Sequence, residues 1–173
     1  MKSLKIIFRG LLFLGVFVVF NSSMCTREDE DLDLDHKVGV VLDSEAVLGF
    51  GHIAVVFINT GGVCTYYSHN QESDKKDGVL FRNFEEFMEK AEGNKFDDTK
   101  IRYDKILNIA ISKKQYSDMM LEAGKLIKKS YGPYLCHHFV GDVLRKGGIP
   151  CEHKPTPETL FDSLLDLFQN NRR

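Results

Sequence analysis

The sequence lacks several features that mark particular classes of protein. Tryptophan is absent. Proline is scarce, with 4 among 173 residues, whereas a collagen-like chain is rich in proline, so this class is excluded. The formal net charge is -2, so no basic excess exists to attract a phosphate backbone, and we expect no nucleic-acid partner. No segment repeats at a fixed period, which excludes a solenoid.

What the chain does contain is typical of a globular protein. Hydrophobic residues make up 43% of the chain and charged residues 28%, which excludes a disordered chain. With 13 phenylalanines and 6 tyrosines, the chain can fill a core without tryptophan. A length of 173 residues is enough for one domain with a modest appendage.

The N-terminal segment has the layout of a secretory signal peptide. Three basic side chains within the first nine residues precede the apolar run 11–20, and polar residues 21–23 follow. The run is shorter than the roughly 20 apolar residues that a transmembrane helix needs. We therefore predict a signal peptide over 1–24, with an uncleaved anchor that extends over Leu4–Phe8 as the alternative.

The next residues predict how the exported chain is tethered. Cys25 lies where a bacterial lipoprotein cysteine is acylated, so the segment fits either a lipidated or a plain signal. Residues 25–36 are rich in aspartate and glutamate, and such a run forms a solvated acidic tether because it cannot bury itself. We expect the folded domain over 37–173. The expected location is the cell envelope, as a periplasmic or outer-membrane lipoprotein, or the secreted fraction, with membrane contact only through the signal or lipid anchor.

The patterning of the remaining chain predicts an α+β domain with an antiparallel sheet and about four helices. Short apolar runs separated by turn residues indicate the strands, and apolar stripes behind capping residues indicate the helices. The predicted strands span residues 38–42, 52–58, 63–69 and 103–111, and the predicted helices begin after Asn83, after Ser112, near Leu135 and after Thr156.

Cys136 is the strongest candidate for chemistry because of its place in the pattern. It falls in the first turn of an amphipathic helix, where backbone amides and the helix dipole lower the pKa of a thiol. The same amides can stabilise an oxyanion during acyl transfer. A cysteine nucleophile also needs a base within reach, and His52 opens a strand that is otherwise apolar. Cys64 and Cys151 fit small buried hydrophobic residues instead.

The hairpin that follows His52 supplies a third candidate. With a four-residue loop over 59–62, directly opposed residues on the two strands place His52 opposite His69, which would orient the imidazole. A one-residue bulge would present Ser68 instead. The predicted catalytic residues are therefore Cys136, His52 and His69, with Ser68 as the alternative third member.

Two short clusters offer soft metal ligands, Cys136–His138 and Cys151–His153. Consecutive residues on a helix point about 100° apart, so neighbouring side chains are poorly placed to bind one ion together. We expect neither a metal ion nor a cofactor.

Two blocks of this sequence resemble the circularly permuted branch of the papain-like NlpC/P60 superfamily, close to small bacterial domains associated with Rhs-type proteins. The likeness covers roughly residues 38–161 and implies a permuted papain-like architecture, in which the histidine strand precedes the cysteine helix. The blocks that carry it are Gly51–Val56 with Thr65–Ser68, and Tyr134–Leu144 with Gly147–Ile149.

The resemblance implies a thiol hydrolase or acyltransferase, with Cys136 as nucleophile, His52 as base, and His69 or Ser68 as the third polar residue. We expect an exported cysteine amidase or peptidase acting on a peptide or cell-wall substrate, above all on peptide bonds of peptidoglycan. Two alternatives stay open: an acyltransferase or lipid-ester thiol enzyme, and an inactive envelope-binding lipoprotein. Leu135, where relatives commonly carry asparagine, favours the inactive form.

Overall fold

The computed structural model of this protein describes residues 34–46, 51–69, 78–92, 103–130, 132 and 134–169. All of them belong to one compact unit, Asp31–Arg173. The signal peptide predicted over 1–24, Cys25, and most of the predicted acidic tether lie outside the described residues. Among the described residues, no helix combines the length and the apolar character needed to cross a bilayer.

The described residues form five strands and four helices, which confirms the predicted α+β class with an antiparallel sheet. The strands are β1 (His36–Asp43), β2 (His52–Ile58), β3 (Cys64–Tyr67), β4 (Val79–Phe81) and β5 (Lys105–Ile111). The helices are α1 (Phe84–Glu92), α2 (Lys113–Leu126), α3 (Cys136–Lys146) and α4 (Pro157–Gln169). The short strand β4 was not predicted.

The sheet is open, with the strand order β4-β3-β2-β1-β5, and every neighbouring pair is antiparallel. β1 and β2 lie in the middle and are covered on both faces, so nearly all of their residues are buried. A strand buried on both faces needs apolar side chains at successive positions. This explains why β2 has the continuous apolar sequence Ile53–Ile58 and not an alternating one.

The two faces of the sheet carry two separate cores. On one face, α2, α3 and α4 pack against side chains such as Val55 and Phe57 of β2. On the other face, α1 packs against Ala54 and Val56 through Phe87. Because side chains alternate along a strand, each residue of β2 belongs to one face or the other. This parity decides what each polar residue at the end of β2 can contact.

The capping residues predicted for the helices are present. The Ser112 hydroxyl accepts a hydrogen bond from the Gln115 amide at 3.2 Å, and the Gln115 side chain accepts one from the Ser112 amide at 3.0 Å. Gln115 also donates to the Gly147 carbonyl at 2.7 Å. The N-terminus of α2 is therefore tied to the end of α3, the helix that begins with Cys136.

The predicted register of the β2–β3 hairpin is wrong by one residue. The four-residue loop would set Ile58 opposite Val63, but Ile58 pairs with Cys64. The Asn59 amide donates to the Val63 carbonyl at 3.1 Å, so the loop that this bond closes contains the three residues 60–62. Gly62 adopts a left-handed conformation with φ 80, and its amide donates to the Asn59 carbonyl at 2.9 Å. A turn followed by a left-handed glycine is typical of three-residue hairpin loops. A slip of one residue moves every side chain to the other face, so His69 does not lie opposite His52.

We expect Ser112→Ala to lower the free energy of unfolding by about 1 kcal/mol, because one amide in the first turn of α2 loses its acceptor. Urea denaturation followed by circular dichroism measures this loss. Ser130→Ala, at an exposed position beyond the end of α2, is the matched control and should change stability by less than about 0.5 kcal/mol. Equal stabilities of the two variants would contradict the capping role.

Candidate active site

Cys136 is the first residue of α3, and only 4% of it is exposed. Burial is the largest influence on its thiol and raises the pKa above the usual value. Three backbone amides act in the opposite direction by donating toward the sulfur, those of Ile53, His137 and Cys136 itself. The Sγ atom therefore lies in a nest of N–H donors contributed by both the helix and β2, but it stays protonated at neutral pH.

His52 begins β2 and is more deeply buried, with 2% exposed. Its Nε2 atom is 2.7 Å from the Ser68 hydroxyl oxygen, and the two groups share a hydrogen bond. Burial lowers the pKa of the imidazole to about 4, and repulsion from a charge on His69 adds to the effect. The ring is consequently neutral at pH 7.

His69 makes a different set of contacts. Its Nε2 donates to the Tyr134 carbonyl at 3.0 Å, and since a carbonyl only accepts, this nitrogen carries a hydrogen. The ring stacks on Phe139 of α3, with ring centroids 5.7 Å apart. Burial lowers the pKa of His69, the bond to Tyr134 raises it, and the Lys129 charge lowers it. His69 therefore faces the helices and fastens the end of β3 to the segment before α3.

The one-residue slip of the hairpin explains this arrangement. His52 shares a face of β2 with Ala54, on the α1 side, and Ser68 lies within hydrogen-bond distance there. The third member predicted first, His69, hydrogen-bonds to the Tyr134 carbonyl, whereas the alternative, Ser68, is the group that shares a hydrogen bond with His52.

The predicted nucleophile and base lie at the same end of β2, where Cys136 packs in the core of α2, α3 and α4 while the His52 side chain shares the α1 side with Ala54. The Cys136 sulfur contacts the backbone at Ile53, the residue directly after His52. In the described part of the chain, no hydrogen bond links Sγ to the His52 ring. Catalytic hydrogen bonds are often long in unliganded enzymes and shorten when substrate binds. The resting site holds a neutral thiol and a neutral imidazole, not an ion pair.

A buried polar cluster beside His52 was not predicted from the sequence. Asp43 faces His52 across the β1–β2 pair and is 6% exposed. The Tyr66 and Tyr103 hydroxyls share a hydrogen bond of 2.5 Å. Burial raises the pKa of Tyr103 well above its usual value, and the nearby Tyr66, Asp43 and Cys136 reinforce the shift. Polar side chains at the ends of apolar runs are the only sequence signal of this cluster.

The described residues around this site form neither a metal site nor a disulfide bond. Within the described ranges, no group of three or more histidine, cysteine, aspartate or glutamate side chains is arranged to hold a metal ion. Cys64, Cys136 and Cys151 are free thiols. The groups that the site offers for chemistry are the Cys136 thiol, the His52 imidazole and the Ser68 hydroxyl.

No family of proteins, no curated protein and no solved structure gave a match to this chain. The likeness to the NlpC/P60 superfamily stays a prediction drawn from two blocks of sequence.

The buried neutral imidazole of His52 makes stability depend on pH. Its pKa is about 4 in the folded protein, below the ordinary value of 6.5, so the unfolded chain takes up the proton first as pH falls. We expect about 3 kcal/mol of stability to be lost between pH 6.5 and pH 4 through this group. In chemical denaturation across this pH range, His52→Gln should lose about 3 kcal/mol less stability than the wild type. Equal losses for the variant and the wild type would contradict the assignment.

The pKa of Cys136 gives a second prediction. Because burial raises it, alkylation by iodoacetamide should accelerate with pH through a midpoint above that of an ordinary cysteine. A thiolate paired with an imidazolium would instead react at a rate nearly independent of pH from about pH 5 upward. Mass spectrometry of the Cys136 peptide measures the rate. A flat profile at neutral pH would show that the resting site is an ion pair.

Proposed function

We propose that this chain is a cysteine hydrolase that cleaves an amide bond with Cys136 as nucleophile and His52 as general base. The observation that carries the proposal is the place of Cys136 as the first residue of α3, where backbone amides of the helix and of Ile53 act to lower the pKa of its thiol. Amides that donate toward the sulfur stabilise the negative charge of the thiolate, which has to form when His52 takes the proton. We also propose the permuted papain-like architecture, since the strand of His52 precedes the helix of Cys136 in an α+β fold.

The tautomer of His52 supports its assignment as base. When Nε2 donates to the Ser68 hydroxyl, the neutral ring has a lone pair on Nδ1. Nδ1 is then the atom that takes the thiol proton. Ser68 acts as the orienting group, the part that the third residue of a cysteine–histidine site has to fill. His69 acts indirectly, because its hydrogen bond to the Tyr134 carbonyl holds the segment before α3.

The reaction follows from these roles. His52 Nδ1 takes the proton from Cys136 as Sγ attacks the carbonyl carbon of the amide, and the backbone amides stabilise the oxyanion of the tetrahedral intermediate. The intermediate collapses with cleavage of the C–N bond, and the imidazolium gives its proton to the departing amine. Water, deprotonated by His52, then attacks the thioester and releases the acid and the free thiol. No metal ion or cofactor is required in this sequence of steps.

The substrate class follows from the predicted location. A chain exported to the bacterial envelope meets peptidoglycan, so the proposed substrate is a peptide bond in its cross-bridges or stems. An exposed fraction of 4% at Cys136 favours a slender, extended peptide over a bulky globular substrate.

One observation favours a second candidate, a non-enzymatic envelope protein that keeps this fold. Cys136 and His52 are both buried and both uncharged at neutral pH, a state that also suits a pair packed into a core. A buried neutral thiol next to a neutral imidazole is stable without any catalytic role. The two candidates differ in whether a carbonyl can reach the sulfur.

Activity on purified sacculi and on small amide substrates separates the candidates. We expect Cys136→Ala to lower kcat by at least about 10³-fold, because the nucleophile is lost. Ser68→Ala should lower kcat by about tenfold, because His52 loses the partner that orients it. Release of soluble peptides from sacculi, measured by liquid chromatography, is the readout.

Cys151→Ser is the matched control, because Cys151 is also a free thiol but lies in the loop between α3 and α4. It should retain full activity. Equal turnover by the wild type and Cys136→Ala would remove the catalytic proposal and favour the binding protein. A long-chain acyl group trapped on Cys136 and passed to an acceptor other than water would indicate an acyltransferase instead.

A further inference from the structure

A chain of polar contacts fastens the segment before α3 to the body of that helix. The Tyr134 phenol donates to the Asp142 carboxylate at 2.6 Å. Asp142 is also paired with Arg145 on the next turn of α3, and Arg145 Nη1 donates to the Cys151 carbonyl at 2.8 Å. We call Tyr134, Asp142 and Arg145 the clamp.

Tyr134 is held from the side of the sheet as well. Its carbonyl accepts the hydrogen bond from His69, whose ring lies edge-on with centroids 5.4 Å apart. The Lys129 ammonium group lies 4.2 Å from the centroid of the Tyr134 ring. Tyr134 thus contacts the end of β3, the end of α2 and the middle of α3, two residues before Cys136.

One residue, Leu135, lies between Tyr134 and Cys136, and its carbonyl accepts a hydrogen bond from the Phe139 amide at 3.0 Å. Leu135 occupies the N-cap position of α3, and its side chain makes no capping hydrogen bond. Its backbone N–H donates to His138 Nδ1 at 3.2 Å, the upper end of the usual range. The shorter bond from a phenol to a charged carboxylate is the stronger restraint.

We propose that Tyr134 is a positioning residue for Cys136: through the clamp, its phenol fixes the start of α3 and so sets where the sulfur lies relative to the His52–Ser68 pair. The inference rests on the proposed function for its catalytic meaning, but it concerns the sulfur whether or not the chain is an enzyme. Burial raises the pKa of the phenol, and the adjacent Asp142 raises it further, so the phenol keeps its proton and donates throughout the physiological range.

The proposal predicts that loss of the phenol makes the Cys136 thiol more accessible and at the same time slows turnover. Without the phenol, the first turn of α3 moves more freely, so the buried thiol becomes easier to reach. The same freedom removes the alignment that acyl transfer needs, so turnover slows. A merely destabilising mutation would instead expose all buried thiols together.

The test is alkylation of the full chain by iodoacetamide, with Cys136 and Cys64 followed separately by mass spectrometry. Cys64 is 0% exposed in the core on the α1 face, so its rate reports opening of the sheet as a whole. We expect Tyr134→Phe to raise the Cys136 rate by about tenfold and to leave the Cys64 rate unchanged. Tyr116→Phe, which removes a hydroxyl from another half-buried ring, on α2, is the matched control and should change neither rate.

A double-mutant cycle strengthens the test. Asp142→Asn weakens the same contact from the other partner, so it should raise the Cys136 rate in the same way. The double variant should exceed the larger single effect by less than about twofold, because both changes remove one interaction. Should Tyr134→Phe fail to fold, Asp142→Asn by itself decides, with Cys64 again as the internal control.

The proposal is overturned if the Cys136 rate in Tyr134→Phe changes no more than the Cys64 rate or than in Tyr116→Phe. Alkylation needs no turnover, so this outcome is distinct from failure of the hydrolase proposal. If the chain hydrolyses amides, Tyr134→Phe should lower kcat by about tenfold and change KM by less than about twofold, as for loss of an alignment made in the transition state. A change confined to KM would also overturn the positioning role.

Discussion

Burial of the central strands on both faces is the constraint on which the rest of the structure depends. β1 and β2 are enclosed between α1 on one side and α2, α3 and α4 on the other, so the middle of each strand carries apolar side chains. Polar groups can enter only where these strands end, and there they must find partners because water is excluded. Asp43, His52 and Ser68 gather at one such end for this reason.

The same burial sets the electrostatics of the candidate site. Desolvation penalises charge on both Cys136 and His52, and it outweighs the amides that would stabilise a thiolate. The pair therefore rests uncharged, and charge has to develop during reaction, where preorganised amides stabilise it most effectively. In a site of this kind the thiol is less reactive at rest and is shielded from solvent.

Much of the fold could be predicted because local patterns determine it. The extent of β2, the capping box at Ser112 and the start of α3 at Cys136 follow from apolar periodicity and capping chemistry within a few residues. The strand β4 escaped prediction because three residues carry too little pattern. The predicted register of the hairpin was wrong because Gly62 adopts a left-handed conformation, which shortens the loop by one residue.

The sequence by itself determined the fold class, the helix that carries Cys136 and the strand that begins with His52, because each depends on neighbours along the chain. Only the tertiary structure decided that Ser68 shares a hydrogen bond with His52, and that the Ile53 amide acts on the sulfur. The contacts of the clamp, Tyr134 with Asp142 and Asp142 with Arg145, were likewise decided only by the tertiary structure. These contacts join separate elements, and their identity depends on strand parity and packing, which no local pattern encodes.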